Sequence, residues 1–444
     1  MTRSYLPHTA ADRKAMLAAI GVGSTQELFA DIPAELRLDR PLAMPSALAE
    51  PELVRHLQAL AGRNASLDEY ACFLGAGAYD HYIPSVVDHV IGREEFYTAY
   101  TQYQPEISQG YLQALWEYQS MICAITGLEV ANASLYDGAT ALAEAAMMAC
   151  AATGRSEVVV ARAAHPHYRT LLGTYAIDRG ITVREAPVND GTTGLDGLAG
   201  PATAAVVVQS PNFLGCLEDV AAAAEQAHAA GALLIVAADP IALGVLAAPG
   251  ALGADIVVGE GQPLGLTVSF GGPYLGFFAT TEKLMRKMPG RIVGQTTDFE
   301  GTRGFVLTLQ AREQHIRREK ATSNICSNEA LCSLAAAVYL TAVGKDGFRE
   351  VAELCLKKAH YAYTELTGKG CRPVFGAPFF KEFAVRCAKP VAEVNAALFK
   401  AGIIGGLDLG RYYPELAGCM LVCVTEKRTR AEIDRLVRTV EAVS

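Results

Sequence analysis

The hydrophobic and polar positions between residues 157 and 258 alternate between short apolar runs and longer amphipathic segments. Four apolar runs predict β-strands at residues 157–161, 204–209, 232–237 and 255–258. The pattern at residues 219–230 predicts a helix between the second and third strands. Nearly all-apolar strands that alternate with helices are typical of a parallel sheet covered on both faces. The pattern therefore predicts an α/β domain with a mainly parallel sheet.

Helical periodicity recurs on both sides of these strands. Helices are predicted at residues 110–126, 141–150, 281–287, 312–320 and 328–344. Residues 290–304 are rich in glycine and predict a loop. From Gly347 to the end, alternating helix and strand patterns predict a second, smaller α/β unit.

These elements predict three parts. The first 65 residues hold short helical patterns separated by prolines, so an N-terminal arm is expected at residues 1–65. A large α/β domain is expected at residues 66–327. The connecting helix and the small C-terminal α/β domain are expected at residues 328–444.

Composition narrows the classes of function. The net charge of −9, without a basic tract, argues against nucleic acid and anionic membranes as partners. The eleven cysteines form no CxxC pair, so they are interpreted as small buried hydrophobes, with no metal site and no disulfide framework. The N-terminus lacks the apolar core of a secretion signal, and no apolar run reaches the ~20 residues of a membrane helix. A cytoplasmic location is expected.

Asp239 directly follows the apolar strand at residues 232–237. Ligands of open α/β sheets bind beyond the carboxyl ends of strands. In pyridoxal-phosphate enzymes, an aspartate in this setting pairs with the pyridine nitrogen. The alternative is a helix N-cap next to Pro240.

Two further positions are candidates for the same chemistry. The turn at Asp137 and Gly138 opens a helix and could hold a phosphate on its backbone N–H groups, although any capped helix looks similar. His165, followed by His167, lies after the strand at residues 157–161 and could stack on a planar ring. Loop histidines with ordinary hydrogen-bond partners are the commoner outcome.

A lysine is missing where this chemistry needs one. Pyridoxal-phosphate enzymes hold the cofactor as a Schiff base on a lysine beyond that aspartate, yet no lysine occurs between Lys14 and Lys283. Lys283 lies on a predicted exposed helix, which is a poor setting for a desolvated, oriented amine. With this fold, the chain could not hold the cofactor covalently.

The tyrosine-rich segment at residues 97–110 is the strongest positive signal for a site. Loops concentrate function, and tyrosine, glutamine and glutamate can orient a small zwitterion or manage a proton. The candidates are Tyr97, Tyr100, Tyr103, Gln104 and Glu106. A tyrosine-rich dimer interface is a compatible alternative.

Four motifs resemble the glycine decarboxylase P-protein family, and the likeness covers essentially the whole chain. The motifs are FLGAGAYDHYIP at residues 73–84, YTAYTQYQPEISQG at 97–110, ANAS at 131–134 and QHIRREKATSNIC at 314–326. The resemblance implies a fold-type I pyridoxal-phosphate-dependent transferase, similar to aspartate aminotransferase. The length matches the separate alpha subunit that many bacteria and archaea have in place of one fused chain.

The resemblance also implies a division of labour between two subunits. In the family the Schiff-base lysine belongs to the beta half, and counting back from the Gly271-Gly272-Pro273 turn places Gln262 at the matching position here. Pyridoxal 5'-phosphate would therefore be bound on the partner beta subunit. Asp137, His165, Asp239 and Gln262 would be the remains of a degenerate pocket.

The implied reaction is decarboxylation of glycine on that cofactor, with transfer of the aminomethyl group to the lipoyl arm of H-protein. Since fold-type I active sites lie between protomers, this chain would supply Tyr97, Tyr100, Tyr103, Gln104 and Glu106 across the interface, with His81 as a lesser candidate. An alpha2beta2 heterotetramer is expected, and the chain alone would be inactive.

The sequence leaves three alternatives. The chain could be a non-catalytic scaffold that stabilises the beta subunit or docks H-protein. It could be a self-contained pyridoxal-phosphate enzyme that uses Lys283 or Lys320. A nicotinamide-dependent dehydrogenase is disfavoured because no G-x-G-x-x-G motif follows a strand.

Overall fold

The structure is a computed structural model that describes residues 7–38, 40–194, 196–197, 199–321, 323–325 and 328–443. Thr322 and Cys326 of the fourth sequence motif lie outside the described residues. The chain divides into two compact units, Met1–Ala65 and Ser66–Ser444. Among the described residues, the first unit contains two α-helices and the second contains all of the strands. The boundary predicted between residues 327 and 328 stays a prediction.

Helices and strands alternate along most of the described chain. The α-helices are α1 (Ala10–Ile20), α2 (Glu50–Ala61), α3 (Ser85–Ile91), α4 (Glu94–Tyr97), α5 (Gln109–Thr126), α6 (Gly138–Thr153), α7 (Pro166–Ala176), α8 (Val220–Ala229), α9 (Gln314–Arg317), α10 (Ala330–Gly368), α11 (Val391–Lys400) and α12 (Arg430–Ala442). The β-strands are β1 (Ala71–Cys72), β2 (Val130–Ala131), β3 (Glu157–Ala161), β4 (Thr182–Ala186), β5 (Val188–Asn189), β6 (Thr192–Thr193), β7 (Thr203–Ser210), β8 (Leu233–Ala238), β9 (Ile256–Glu260), β10 (Gly276–Thr280), β11 (Ile292–Thr297), β12 (Arg303–Thr308), β13 (Arg372–Pro373), β14 (Glu382–Arg386), β15 (Ile403–Ile404), β16 (Leu407–Asp408) and β17 (Cys419–Cys423).

A seven-stranded sheet forms the centre of the second unit, in the order β2-β10-β9-β8-β7-β3-β4. The five strands from β9 to β4 are parallel, while β10 pairs antiparallel with both β9 and β2. The four predicted strands and the helix at residues 219–230 are confirmed, with ends that differ by at most two residues. The parallel strands β3, β7, β8 and β9 are almost entirely buried, because helices cover both faces of such sheets, whereas the edge strand β4 is largely exposed.

A smaller antiparallel sheet has the order β13-β14-β17-β16 and packs with α11, α12 and the second half of α10 around its own hydrophobic core. A parallel pair, β1 with β15, ties the start of the segment at residues 73–84 to this part of the fold. None of the described helices is both long enough and apolar enough to span a lipid bilayer.

The predicted loop at residues 290–304 is wrong. These residues form most of an antiparallel hairpin, β11 with β12, whose side chains Val293 and Phe305 pack against Leu112 and Leu115 of α5. Glycine content suggested a loop, but packing against α5 stabilises a strand despite its glycines. The helix predicted at residues 312–320 is also shorter than expected: α9 has one turn and ends at Arg318, where φ is +54°.

The predicted helix at residues 328–344 forms the first part of α10, which runs on to Gly368. Gly344 interrupts its regular geometry with φ 61° and ψ −178°. Only glycine adopts this backbone conformation readily, so the two halves of α10 take different directions at this residue.

Candidate functional site

A small cavity lies beyond the carboxyl ends of β8 and β9, the place where open α/β sheets bind ligands. Its volume is about 30 Å³, which holds one or two water molecules. The polar side chains that line it include those of Tyr79, His165, Asp239, Glu260, Lys381 and Glu382. They come from both α/β cores, since Lys381 and Glu382 lie at the start of β14 in the small sheet.

Asp239 forms an ion pair inside this cavity with Lys381. The Lys381 Nζ lies 2.7 Å from Asp239 Oδ2, and both side chains are at least nine-tenths buried. Asp239 Oδ1 accepts a hydrogen bond from the Ile241 N–H at 3.0 Å, so the aspartate also caps the turn after Pro240. Burial is the largest single effect on the pKa of Lys381 and would lower it, but the Asp239 carboxylate together with the buried thiols of Cys423 and Cys355 raises that pKa above its ordinary value. Lys381 is therefore a buried cation paired with Asp239.

The Lys381 ammonium has two further contacts. It lies 3.6 Å from the centre of the Tyr79 ring, a cation–π contact. It also donates to His81 Nε2 at 3.0 Å, and His81 Nδ1 lies 2.6 Å from Glu426 Oε2. Burial and the neighbouring Lys381 charge lower the pKa of His81, so the ring is neutral and its proton belongs on Nδ1, facing Glu426. Glu426, His81, Lys381 and Asp239 thus form one hydrogen-bonded chain.

Glu260 occupies the N-terminal end of α6. Its carboxyl group accepts hydrogen bonds from three backbone N–H groups, those of Gly138 (3.0 Å), Gln262 (2.9 Å) and Leu275 (3.0 Å). A side chain at Gly138 would lie 2.2 Å from the Tyr168 hydroxyl oxygen, so only glycine fits there. Burial raises the pKa of Glu260 to about 7, against the opposite effect of the three N–H donors.

Asp137 is the N-cap of α6. Its carboxylate accepts from the Thr140 N–H at 2.7 Å, and the Thr140 hydroxyl oxygen accepts from the Asp137 N–H at 3.1 Å, which is a reciprocal capping box. The alternative interpretation of this turn, an ordinary capped helix, therefore applies to Asp137. The anion position in front of the helix is filled by Glu260.

Gln262 follows β9 and is fully buried. Its side-chain oxygen accepts from the Tyr79 N–H at 2.9 Å, while its Nε2 donates to the carbonyl oxygens of Tyr79 (3.0 Å) and Leu266 (2.7 Å). The amide therefore pairs with both backbone groups of Tyr79. It holds the segment at residues 75–82 over the carboxyl ends of the strands.

His165 is the N-cap of α7 and contacts the same segment. Its Nε2 donates to the Ala76 carbonyl at 2.9 Å, and its Nδ1 accepts from the His167 N–H at 3.1 Å. Burial lowers the pKa of His165 to about 4, in agreement with a neutral ring in these roles. Gly77, with φ +108°, lies directly against the imidazole, where a Cβ atom would be 2.8 Å from Nε2.

The tyrosine-rich candidates lie on the surface, and none of them lines the cavity among the described residues. Tyr97 ends α4, and Tyr100, Gln104 and Glu106 are likewise exposed; Tyr97 is 69% and Tyr100 85% exposed. Tyr103 is anchored, because its hydroxyl oxygen accepts from Arg291 Nη2 at 3.1 Å and its ring lies 4.9 Å from the guanidinium carbon.

The two lysines weighed for a self-contained enzyme are also outside the cavity. Lys283 is exposed in a 3₁₀ helix at residues 282–287, and Lys320 is exposed after α9. Neither is desolvated as a Schiff-base amine needs to be.

A family model described as the glycine cleavage system P-protein matches residues 3–440. The chain belongs to the glycine cleavage system P-protein family. Two relatives named probable glycine dehydrogenase (decarboxylating) subunit 1 match it over nearly their whole lengths. The Desulforamulus reducens protein is 59% identical over 99% of this chain and 100% of its own, and the Moorella thermoacetica protein is 57% identical over 99% of each.

The solved structures give the same result for the fold. A glycine decarboxylase (P-protein) of the glycine cleavage system, in inhibitor-bound form, matches with a TM-score of 0.92 and 46% identity over 99% of this chain and 100% of that one. A sphingosine-1-phosphate lyase from Burkholderia pseudomallei matches with a TM-score of 0.64 and 17% identity, over 92% of this chain and 93% of its own. An aspartate aminotransferase from Thermus thermophilus matches with a TM-score of 0.57 and 16% identity, over 84% of this chain and 98% of its own. The predicted family resemblance and fold-type I class are both confirmed.

Pyridoxal 5'-phosphate does not fit the cavity of this P-protein chain. Sites for small ligands and cofactors have volumes of roughly 300–1,000 Å³, whereas about 30 Å³ remains here. The carboxylate that would face the pyridine nitrogen is paired with Lys381, and the Gly138 N–H at the start of α6, where a phosphate would bind, is bonded to Glu260. The amide of Gln262 cannot form a Schiff base.

Of the residues expected from the sequence, His165 and Asp239 line the cavity, whereas Asp137 and Gln262 are not among its lining residues. The lining residues Lys381, Glu260 and Glu382 were not expected. A signal was present for all three. Lys381 and Glu382 interrupt the apolar stretch FFKEFAV at residues 379–385, and Glu260 ends the apolar strand β9. A charged residue within or directly after a buried strand needs a partner, and each of these has one.

Proposed function

We propose that this chain is the alpha subunit of a two-chain glycine decarboxylase, the P-protein of the glycine cleavage system. Together with a beta subunit that binds pyridoxal 5'-phosphate, it decarboxylates glycine and passes the aminomethyl group to the lipoyl arm of H-protein. The bound cofactor supplies the electron sink for decarboxylation. We further propose an alpha2beta2 assembly in which this chain alone is inactive.

One observation carries the proposal: a P-protein chain whose own cofactor position is filled by its own side chains. The relatives it matches end to end are named subunit 1, which supports a second subunit. Gln262 stands where the family resemblance expects a lysine, and about 30 Å³ remains in the pocket. Cofactor chemistry is then left to the partner.

The tyrosine-rich segment is proposed to complete the partner's site. The hydroxyl of Tyr100 and the carboxyl group of Glu106 are exposed and free to meet another chain, as are Tyr97 and Gln104. Tyr103 is proposed to hold the loop in place through Arg291. Phenol, amide and carboxyl groups suit the orientation of a small zwitterion and the handling of its protons.

The subunit requirement is tested by reconstitution. Release of labelled CO₂ from carboxyl-labelled glycine, with lipoylated H-protein present, is measured for this chain, for the beta chain and for both together. Activity is expected only with both chains, and the isolated alpha chain is expected to bind no cofactor. CO₂ release by this chain alone would contradict the proposal.

The interface residues are tested with Tyr100→Phe and Glu106→Gln in the assembled enzyme. Each is expected to lower kcat/KM at least about tenfold, which corresponds to ~1.4 kcal/mol of transition-state stabilisation. Tyr363→Phe and Glu393→Gln, in the small α/β unit, are matched controls expected to retain full activity. If both test variants assemble and turn over normally, these residues have no catalytic part and the scaffold alternative is favoured.

A further inference from the structure

We propose that this chain carries an internal replacement for the cofactor, with Lys381 in the place of the pyridine ring nitrogen and Glu260 in the place of the phosphate. The pocket is thereby occupied by the protein itself and holds the two α/β cores together. This inference rests on the proposed function, in which the cofactor is bound by the partner subunit. It is tested by cofactor binding to the isolated full chain, a readout that is independent of turnover.

The charges match at each end of the pocket. A protonated pyridine nitrogen is a cation that pairs with a carboxylate, and the Lys381 ammonium is a cation 2.7 Å from Asp239. A phosphate is an acceptor that binds backbone N–H groups at a helix N-terminus. The Glu260 carboxyl group accepts from the Gly138 N–H at the N-terminus of α6, and from the N–H groups of Gln262 and Leu275 outside that helix. Lys381 and Glu260 therefore bind the same protein groups that the pyridine nitrogen and the phosphate of the cofactor would bind.

The middle of the pocket is filled by backbone. Ala76 and Gly77 lie against the imidazole of His165, the residue that was a candidate for ring stacking. Gln262, at the position expected for the Schiff-base lysine, binds both backbone groups of Tyr79. The cavity that His165 and Asp239 both line keeps a volume of about 30 Å³, below the roughly 300–1,000 Å³ of sites for small ligands.

The same contacts join the two cores. Asp239 directly follows β8 and Glu260 ends β9 of the large sheet, whereas Lys381 directly precedes β14 of the small sheet and Glu382 begins it. Glu382 accepts hydrogen bonds from the Tyr79 hydroxyl at 2.8 Å and from the Ala76 N–H at 2.6 Å. The small sheet is therefore held against the carboxyl ends of the large one by an ion pair and hydrogen bonds that no ligand has to supply.

The test restores the missing lysine with and without removal of the internal replacement. Four full-length proteins are compared: the wild type, Gln262→Lys, the triple variant Gln262→Lys/Lys381→Ala/Glu260→Ala, and the control Gln262→Lys/Lys357→Ala/Glu353→Ala. The control removes an exposed lysine–glutamate pair of α10 and makes the same change in composition. Each protein is incubated with pyridoxal 5'-phosphate and reduced with borohydride, and label at residue 262 is quantified by peptide mapping.

Label at residue 262 is expected only in the triple variant, at least tenfold above Gln262→Lys and the control. Circular dichroism and gel filtration establish that each protein is folded. Label at residue 262 in the single variant or in the control would overturn the inference, because the pocket would then be open. A folded triple variant without label would also overturn the inference. If the triple variant does not fold, label at residue 262 in the single variant Gln262→Lys still tests whether the pocket is open. The failure of the proposed function appears separately, as CO₂ release by the alpha chain alone.

Discussion

Burial and hydrogen bonding act on the carboxyl group of Glu260 in opposite directions. Removal from water favours the neutral acid, whereas three backbone N–H donors favour the carboxylate. Burial has the larger effect, and the pKa rises to about 7 from the ordinary value of 4.5. Below pH 4.5 the group is protonated in both the folded and the unfolded chain. Between 4.5 and 7 only the folded chain keeps the proton, so the free energy of unfolding falls as the pH rises through this window.

Glu260→Gln should remove this pH dependence. The shift corresponds to about 3 kcal/mol between pH 4.5 and pH 7, and the amide cannot titrate. The variant also loses an acceptor for the Gly138 N–H, which lowers the free energy of unfolding by ~1–3 kcal/mol at every pH. We therefore expect its deficit relative to the wild type to be large at pH 5 and smaller or reversed at pH 8, as measured by urea unfolding. The exposed Glu393→Gln serves as the control, and a deficit that does not change with pH would contradict the assignment.

Glycines have opposite roles at two positions of α10. At Gly344, φ 61° and ψ −178° interrupt the helix, and no atom lies within 4 Å of the position where a Cβ would be. At Gly347 the backbone is helical, and a Cβ would meet only the Val343 Cβ at 3.4 Å. Backbone conformation, rather than space, therefore distinguishes the two positions within one element.

Gly344→Ala and Gly347→Ala are expected to have opposite effects. An alanine at residue 344 is forced into a conformation that costs about 1–3 kcal/mol outside glycine. The same change at residue 347 improves helix propensity by up to ~1 kcal/mol. Urea unfolding of both variants measures the difference. Stabilisation of the chain by Gly344→Ala would mean that the helix is not interrupted at this residue in solution.

At the scale of the whole molecule, the ion pair of Lys381 and Asp239 links the two α/β cores. A buried pair contributes little net stability compared with apolar side chains, because both charges have lost their water. Removal of one partner alone is different, since it leaves the other charge buried and unpaired. The pair is thus a strong constraint on how the cores meet even if its net contribution is small.

Lys381→Met is expected to lower the free energy of unfolding by ~3–5 kcal/mol. The double variant Lys381→Met/Asp239→Asn should recover a large part of this loss, because asparagine is neutral and keeps an oxygen for the Ile241 N–H. A double-mutant cycle from urea unfolding gives the coupling energy. Lys357→Met, which breaks an exposed pair, should cost no more than ~0.5 kcal/mol. Additive effects of the two pocket substitutions would show that Lys381 and Asp239 do not interact.

Local patterns in the sequence were sufficient for four of the five parallel strands, for Asp239 at the end of β8 and for the capping turn at Asp137; the edge strand β4 was not predicted. Their periodicity and their breaks act over a few residues, so a single segment contains the information. The missing lysine was evident from the sequence for the same reason. The hairpin β11–β12 could not be predicted in this way, because its glycines favoured a loop and only its packing against α5 stabilises the strands.

The sequence by itself determined the α/β class, the family and the absence of a lysine at the position of Gln262. Only the tertiary structure decided what fills the pocket. Lys381 and Glu382 belong to a different sheet from Asp239 and Glu260, and no periodicity relates residues so far apart along the chain. Their pairing depends on how the two cores pack, since a buried cation and a buried carboxylate are stable only where the fold brings them together.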